Sequence, residues 1–190
     1  MKTGRLLSAL GLLFLSLWLA VVVAAGLSAS VTFTVLPPME PTIPGYESMD
    51  PVMRGRLIAG LTTEPVFRIA DWSQIVLCPL TIVVIVLQGL AGFIDRRRVS
   101  QWIRIIGIVL ASVFFLARLV VVNTPMNEHL DTYRAAAKAG DLEKAAAEQT
   151  TFDGWHHAAE TLWGLTGLSL LVAITATGAT LATPRSKQDP

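Results

Sequence analysis

The sequence predicts an all-α fold, a four-helix transmembrane bundle with helical outer loops. Three observations carry this reading. Hydrophobic residues make up 53% of the 190-residue chain and charged residues only 15%. Several long segments lack charge almost entirely, and arginines and lysines crowd the ends of those segments. A hydrocarbon core of about 30 Å needs about 20 apolar helical residues, and helices are the open-ended structures that satisfy their own backbone there. The expected helices span 6–35, 69–94, 101–123 and 151–181, with outer loops 36–68 and 124–150 and a cytoplasmic link 95–100, in a single membrane domain.

The first segment follows Lys2 and Arg5 and passes through "AAGLSAS", a pattern shared with cleaved secretory signals. Signal cores run to about 7–15 residues. The apolar run here continues from Leu6 through Ala25 and on to Val35, so a retained helix is the preferred reading and a cleaved signal the alternative. The second and third segments, with "IVLCPLTIVVIVLQGLAGF" and "IIGIVLASVFFLARLVVV", contain almost nothing that water would hold.

Orientation follows from cations close to the helix ends. With four crossings, Lys2, Arg5, Arg96, Arg97, Arg98, Arg104, Arg185 and Lys187 share one side. On the other side, Arg54, Arg56, Arg68, Arg134, Lys138 and Lys144 are spread over long loops and mixed with acidic residues. The link Arg96, Arg97, Arg98 therefore predicts both termini on the cytoplasmic side of the plasma membrane.

In the first outer loop, Pro37, Pro38, Pro41 and Pro44 predict extended chain. Asp50 can cap a short interfacial helix that begins at Pro51 and carries "VMRGRLIAGL". In the second loop, helix three can continue past a kink at Pro125 into "MNEHLDTYRAAAKA", which Gly140 can end in a left-handed conformation. Asp141 can cap "LEKAAAEQ" as a second helix. Thr150 and Asp153 have capping-box spacing, which starts helix four near Thr151.

A net charge of +1 offers no basic field for a phosphate backbone, so no nucleic-acid partner is expected. One cysteine, Cys78, excludes an intramolecular disulfide and any multi-cysteine metal centre. It reads as a small buried hydrophobe. Neither a P-loop, a dinucleotide fingerprint nor a Ser–His–Asp order is found. No cofactor is expected. Membrane lipid is the expected partner, with a homo-oligomer or another membrane protein left open.

An ionisable residue inside a membrane helix is costly and marks a candidate site. Arg118 and Glu160 both fall about 7 Å below the outer face at 1.5 Å per residue. Either they pair as a structural clasp, or Arg118 snorkels to the headgroups alone. His156 and His157 share the start of helix four with Glu160, and Asn123 and Asp71 complete the polar cluster near this face.

A metal set can be drawn from His129, His156, Glu160 and Met126, with Glu128 nearby. Apart from Met1, every methionine (Met39, Met49, Met53 and Met126) falls in an outer loop, and thioethers suit cuprous copper. Against this, structural zinc takes four protein ligands, and Met53 and Met126 have an ordinary use in covering apolar surface. Trp72, Trp102 and Trp155 are expected as interfacial anchors. Gln74, Gln88 and the serines and threonines of helix one suit interhelical hydrogen bonds, and Gly89, Gly92, Gly164 and Gly167 suit close approach.

Three stretches carry a family resemblance: Gly26, Phe33 and Pro37 closing helix one, "NTPMNEHL" (Asn123 to Leu130), and "FDGWHHAAETLWGL" (Phe152 to Leu165). Together they resemble the transmembrane-protein-205-like domain of unknown function, which implies a compact four-helix membrane bundle with no agreed activity. "PMNEHL" is also similar to the membrane family that includes anthrone oxygenases, which implies a cofactor-independent oxygenase in some members. A distant similarity to copper-resistance membrane proteins implies metal handling. Those families commonly carry a small or amide residue after the helix-four histidine, where this chain has Glu160. The expected function is a non-enzymatic membrane component, a small transport or envelope-stress accessory factor. Its rivals are metal handling at the outer face and a membrane oxidoreductase acting on a lipophilic substrate.

Overall fold

A computed structural model describes residues 2–95 and 97–182; Arg96, Arg185 and Lys187 of the orientation argument lie outside them. Among the described residues the chain is an all-α, four-helix transmembrane bundle. Helix α1 (Lys2–Val35) leads through a 3-10 turn (Pro37–Met39) to α2 (Pro51–Leu90). Then α3 (Val99–Ala117) passes through a π turn (Arg118–Val122) directly into α4 (Asn123–Ala139), and α5 (Leu142–Ala182) returns. Four helical rods are long and apolar enough to cross a membrane, the α3–α4 pair counting as one.

The side-chain pattern on α2 and α3 is inverted relative to a protein folded in water. On α2 the outward positions Ile69, Trp72, Val76, Leu80, Val83, Leu87 and Leu90 recur at three- and four-residue steps and are all large, apolar and exposed. Its buried face carries Gln74, Cys78, Thr81, Val84 and Gln88. On α3, Trp102, Ile106, Val109, Val113, Leu116 and, past its end, Val120 face out, while Gln101, Arg104, Ile108, Ala111, Phe115 and Arg118 face in. Large exposed apolar patches mark an interaction surface, and stripes this long on helices of spanning length are suited to lipid contact.

Polar groups inside join the helices. Trp18 Nε1 donates to Gln74 Oε1 at 3.1 Å, and Gln88 Nε2 donates to the Leu7 carbonyl at 2.9 Å. Cys78, buried as expected, lies 3.5 Å from Ser112 Oγ. Beside them sits an apolar core of Leu15, Trp18, Val22, Ile108, Phe115 and Leu170. Gly107 lets α3 close on α5: a Cβ there would meet the Ser169 carbonyl oxygen at 2.9 Å.

The outer segments are more helical than the sequence suggested. α2 begins at Pro51, not near 69, so the expected interfacial helix and the second membrane helix form one 40-residue rod through Pro65. Its start is as read: Asp50 Oδ1 accepts from the Val52 and Met53 N–H groups. α5 likewise begins at Leu142, so Thr150 and Thr151 cap nothing; their hydroxyls donate to the Ala146 and Ala147 carbonyls inside a continuous helix. Gly140 is left-handed at φ 78°, and Asp141 caps the start of α5 by accepting from Lys144 N.

These lengths place the boundary of the membrane layer. The 19 residues of α3 span about 28 Å at 1.5 Å per residue, which fills a hydrocarbon core of about 30 Å. With α3 alone filling that core, Arg118 would lie at its far edge, and the first half of α2, α4 and the first half of α5 would stand beyond it. This loop-end layer has its own core of Met49, Leu57, Tyr133, Ala136, Ala137 and Ala145, with Tyr46, Met53 and Leu130 packed against it. Met49 and Met53 thus serve packing, whereas Met39 is exposed.

Candidate functional site at the loop-end boundary

Two rods change character at the same level. On α3, Pro125 has no N–H, and in a regular helix its ring would press on the carbonyl four residues back. The chain accommodates it by widening the turn ahead: the Asn123 N–H bonds the Arg118 carbonyl, five residues back. Such widened turns recur at functional sites. The extra residue sets Asn123 on the same face as Arg118, and Arg118 Nη1 reaches Asn123 Oδ1 at 3.5 Å.

Arg118 does not pair with Glu160. Its Nη2 makes a direct ion pair with Asp71 Oδ1, and Asn123 Nδ2 donates to the other carboxylate oxygen at 3.4 Å. The Arg118 side chain is 6% exposed and that of Asp71 20%, so snorkelling is excluded as well. The guanidinium lies 4.5 Å above the Trp163 ring and 6.0 Å from the Phe115 centroid. Trp163 is itself held by Phe67, edge-on at 5.2 Å, and by its Nε1 donating to the Val22 carbonyl at 3.0 Å. One cation thereby ties together α2, α3, α5 and, through Trp163, α1.

Glu160 belongs to a second, more exposed group. Its Oε1 lies 3.2 Å from His156 Nε2 and its Oε2 3.2 Å from His157 Nδ1. Phe152 stacks on His156 at 5.4 Å. His129 is engaged elsewhere, 2.7 Å from Glu148 Oε2 across α4 and α5. Among the described residues no three His, Cys, Asp or Glu side chains come together as a metal site, so the proposed set of His129, His156 and Glu160 with Met126 is not assembled. Instead His129 has Glu148 as its carboxylate neighbour, and His156 and His157 share Glu160.

Below Glu160, α5 and α1 part to leave an open groove of about 570 Å³, lined by Leu19, Val22, Val23, Gly26, Leu27, Trp163, Gly164, Gly167, Leu168 and Leu171. Its wall is almost wholly apolar. His156, Glu160, Trp163, Gly167 and Leu171 follow one another at three- and four-residue steps, one face of α5. The histidine–glutamate group is thus the polar head of an apolar slot. Sequence reasoning singled out Arg118, Asp71, Asn123, His156, His157 and Glu160 but missed Trp163, the residue that links the two groups. Its only signal was its place three residues after Glu160. Compared with known proteins, the chain matches no family model, no curated protein and no solved structure.

Proposed function

We propose that the chain is a non-enzymatic component of the cytoplasmic membrane, a small transport or envelope accessory factor that holds an amphiphilic molecule at the outer leaflet. Both termini face the cytoplasm in this reading, supported by Arg5, Arg97, Arg98 and Arg104 near the link end of the bundle. The observation that carries it is the α1–α5 groove. It opens toward lipid, is apolar along its length, and meets the His156–Glu160–His157 group at the membrane boundary. An acyl or isoprenoid chain matches the slot, and a polar headgroup matches the imidazoles and carboxylate above it. Trp163, fixed by Arg118 and by the Val22 carbonyl, forms the rigid wall between.

Gly164 supplies the test, because a Cβ there meets nothing within 4 Å. Gly164→Leu therefore adds an apolar side chain to the lining of the slot at a position where its Cβ meets no neighbour. Native mass spectrometry of the purified protein is expected to show a retained lipophilic molecule on the wild type and its loss from Gly164→Leu. Equal retention by both, or none by the wild type in any mild detergent, would sink the reading.

A further inference from the structure

At the opposite boundary Arg104 presents a different problem. It lies five residues into α3, about 7 Å from the link end, and is 4% exposed. Its face of α3 packs on α5: one turn further on, Gly107 meets the Ser169 carbonyl and Ala173. Among the described residues, no carboxylate and no hydrogen-bond acceptor meets its Nε or its Nη2. A buried charge that is neither paired nor hydrogen-bonded costs several kcal/mol, and a buried orphan donor in a native protein calls for an explanation, a bound ion being one.

Which atoms are orphaned says what the occupant is. Nε–H and the adjacent Nη2–H point the same way from one edge of the guanidinium, the fork that binds two oxygens of a planar or tetrahedral oxyanion. One turn earlier on the same buried face, Gln101 is also sequestered, and its Oε1 likewise has no partner. An acceptor beside a two-donor fork suits an oxyanion that still carries a proton, with P–O⁻ on Arg104 and P–OH on Gln101. The α3 N-terminus, with no side-chain cap at Arg98, adds its positive end, and Arg97 and Arg98 precede it.

We infer that Arg104 and Gln101 form a binding site for a phosphate-class oxyanion at the link end of the bundle. The shared chemistry is a phosphate oxygen pair on the Nε/Nη2 edge, whether it arrives as free phosphate or on a lipid headgroup. The site is one membrane thickness from the α1–α5 groove and rests on different residues. Its test can fail while the amphiphile reading stands, and the reverse.

Full-length protein in a neutral detergent is melted while inorganic phosphate is titrated against chloride at matched ionic strength. In a parallel arm, phosphatidic acid is titrated against phosphatidylcholine in mixed micelles. The expected result is a saturable rise in Tm of several degrees in at least one arm, which also names the source. Arg104→Met abolishes that rise, and Arg104→Lys, which keeps the charge without the fork, raises the half-saturating concentration about tenfold. Should Arg104→Met fail to fold, the Lys variant and Gln101→Leu decide, both weakening the response. Absence of a rise in both arms overturns the site, as does a rise that persists unchanged in the Arg104 and Gln101 variants.

Discussion

Arg118 and Trp163 meet face to face, the guanidinium 4.5 Å above the indole, on helices that are not joined by a short connection. The contact is stronger than its surface counterpart because Arg118 is buried. Cation–π contacts are worth about 0.5–1 kcal/mol when exposed and about 2 when desolvated. Trp163→Phe keeps an aromatic face but loses the hydrogen bond to the Val22 carbonyl, so it should cost about 1 kcal/mol. Trp163→Leu loses the ring as well and should cost at least about 1 kcal/mol more. Equilibrium unfolding in mixed micelles measures both, and equal costs would remove the cation–π account.

The ion pair beneath that ring has a testable asymmetry. Asp71→Asn leaves the Arg118 cation buried without its counter-charge, and breaking a buried pair from one side costs about 3–5 kcal/mol. Asp71→Asn combined with Arg118→Met removes the stranded charge and should recover most of the loss. A double-mutant cycle on these two positions reads the coupling directly. Additive costs would mean that the pair does not hold α2 to α3.

A π turn imposed by Pro125 should be rescued by removing the proline. Deleting Val121, which is 61% exposed, removes the extra residue and sets the proline ring against a carbonyl in a regular turn, at a cost of about 3 kcal/mol. Pro125→Ala in the same shortened chain should restore most of that stability. No rescue would mean that packing around Arg118, and not the proline, shapes the turn.

The membrane fold was legible because hydrophobic length, the cue it rests on, is local to each segment. Asp50, Pro51, Gly140 and Asp141 were legible for the same reason, each acting on its own neighbours. What sequence could not supply was the competition between local signals and tertiary packing. Pro65 should interrupt a helix, yet α2 runs through it, its first half packed in the loop-end core through Met53 and Leu57 and its second half in the bundle core through Cys78. Thr150 and Asp153 look like a capping box and lie mid-helix. The partner of Arg118 was open because Asp71 is 47 residues away in sequence, and the widened turn that aims the arginine cannot be read from periodicity.

Gly55 is the tightest crossing in the loop-end layer. A Cβ there would lie 2.5 Å from Pro37 Cα, against backbone that cannot rotate away. Gly55→Ala should therefore destabilise by about 1–3 kcal/mol despite the better helix propensity of alanine. Gly154, where a Cβ meets nothing within 4 Å, is the control: Gly154→Ala should stabilise by up to about 1 kcal/mol. A melting comparison of the two variants tests the crossing, and a neutral or stabilising Gly55→Ala would refute it.

Tyr133, in the loop-end core beyond the membrane layer, gives that layer a pH dependence. Burial pushes its phenol above the usual range, with Asp153 and Tyr46 adding to the effect and Arg134 opposing it. The folded protein therefore holds the proton that the unfolded chain releases. This group's stabilisation is complete below the ordinary tyrosine pKa of about 10 and is lost as pH rises through that value toward the higher folded one. Melting temperatures between pH 8 and pH 11 should fall more steeply for wild type than for Tyr133→Phe, which has no proton to lose. Since Met49, Leu57 and Ala137 pack in the same cluster, the layer should be lost before the membrane helices separate. Parallel curves for the two proteins would mean that the phenol is not held in this core.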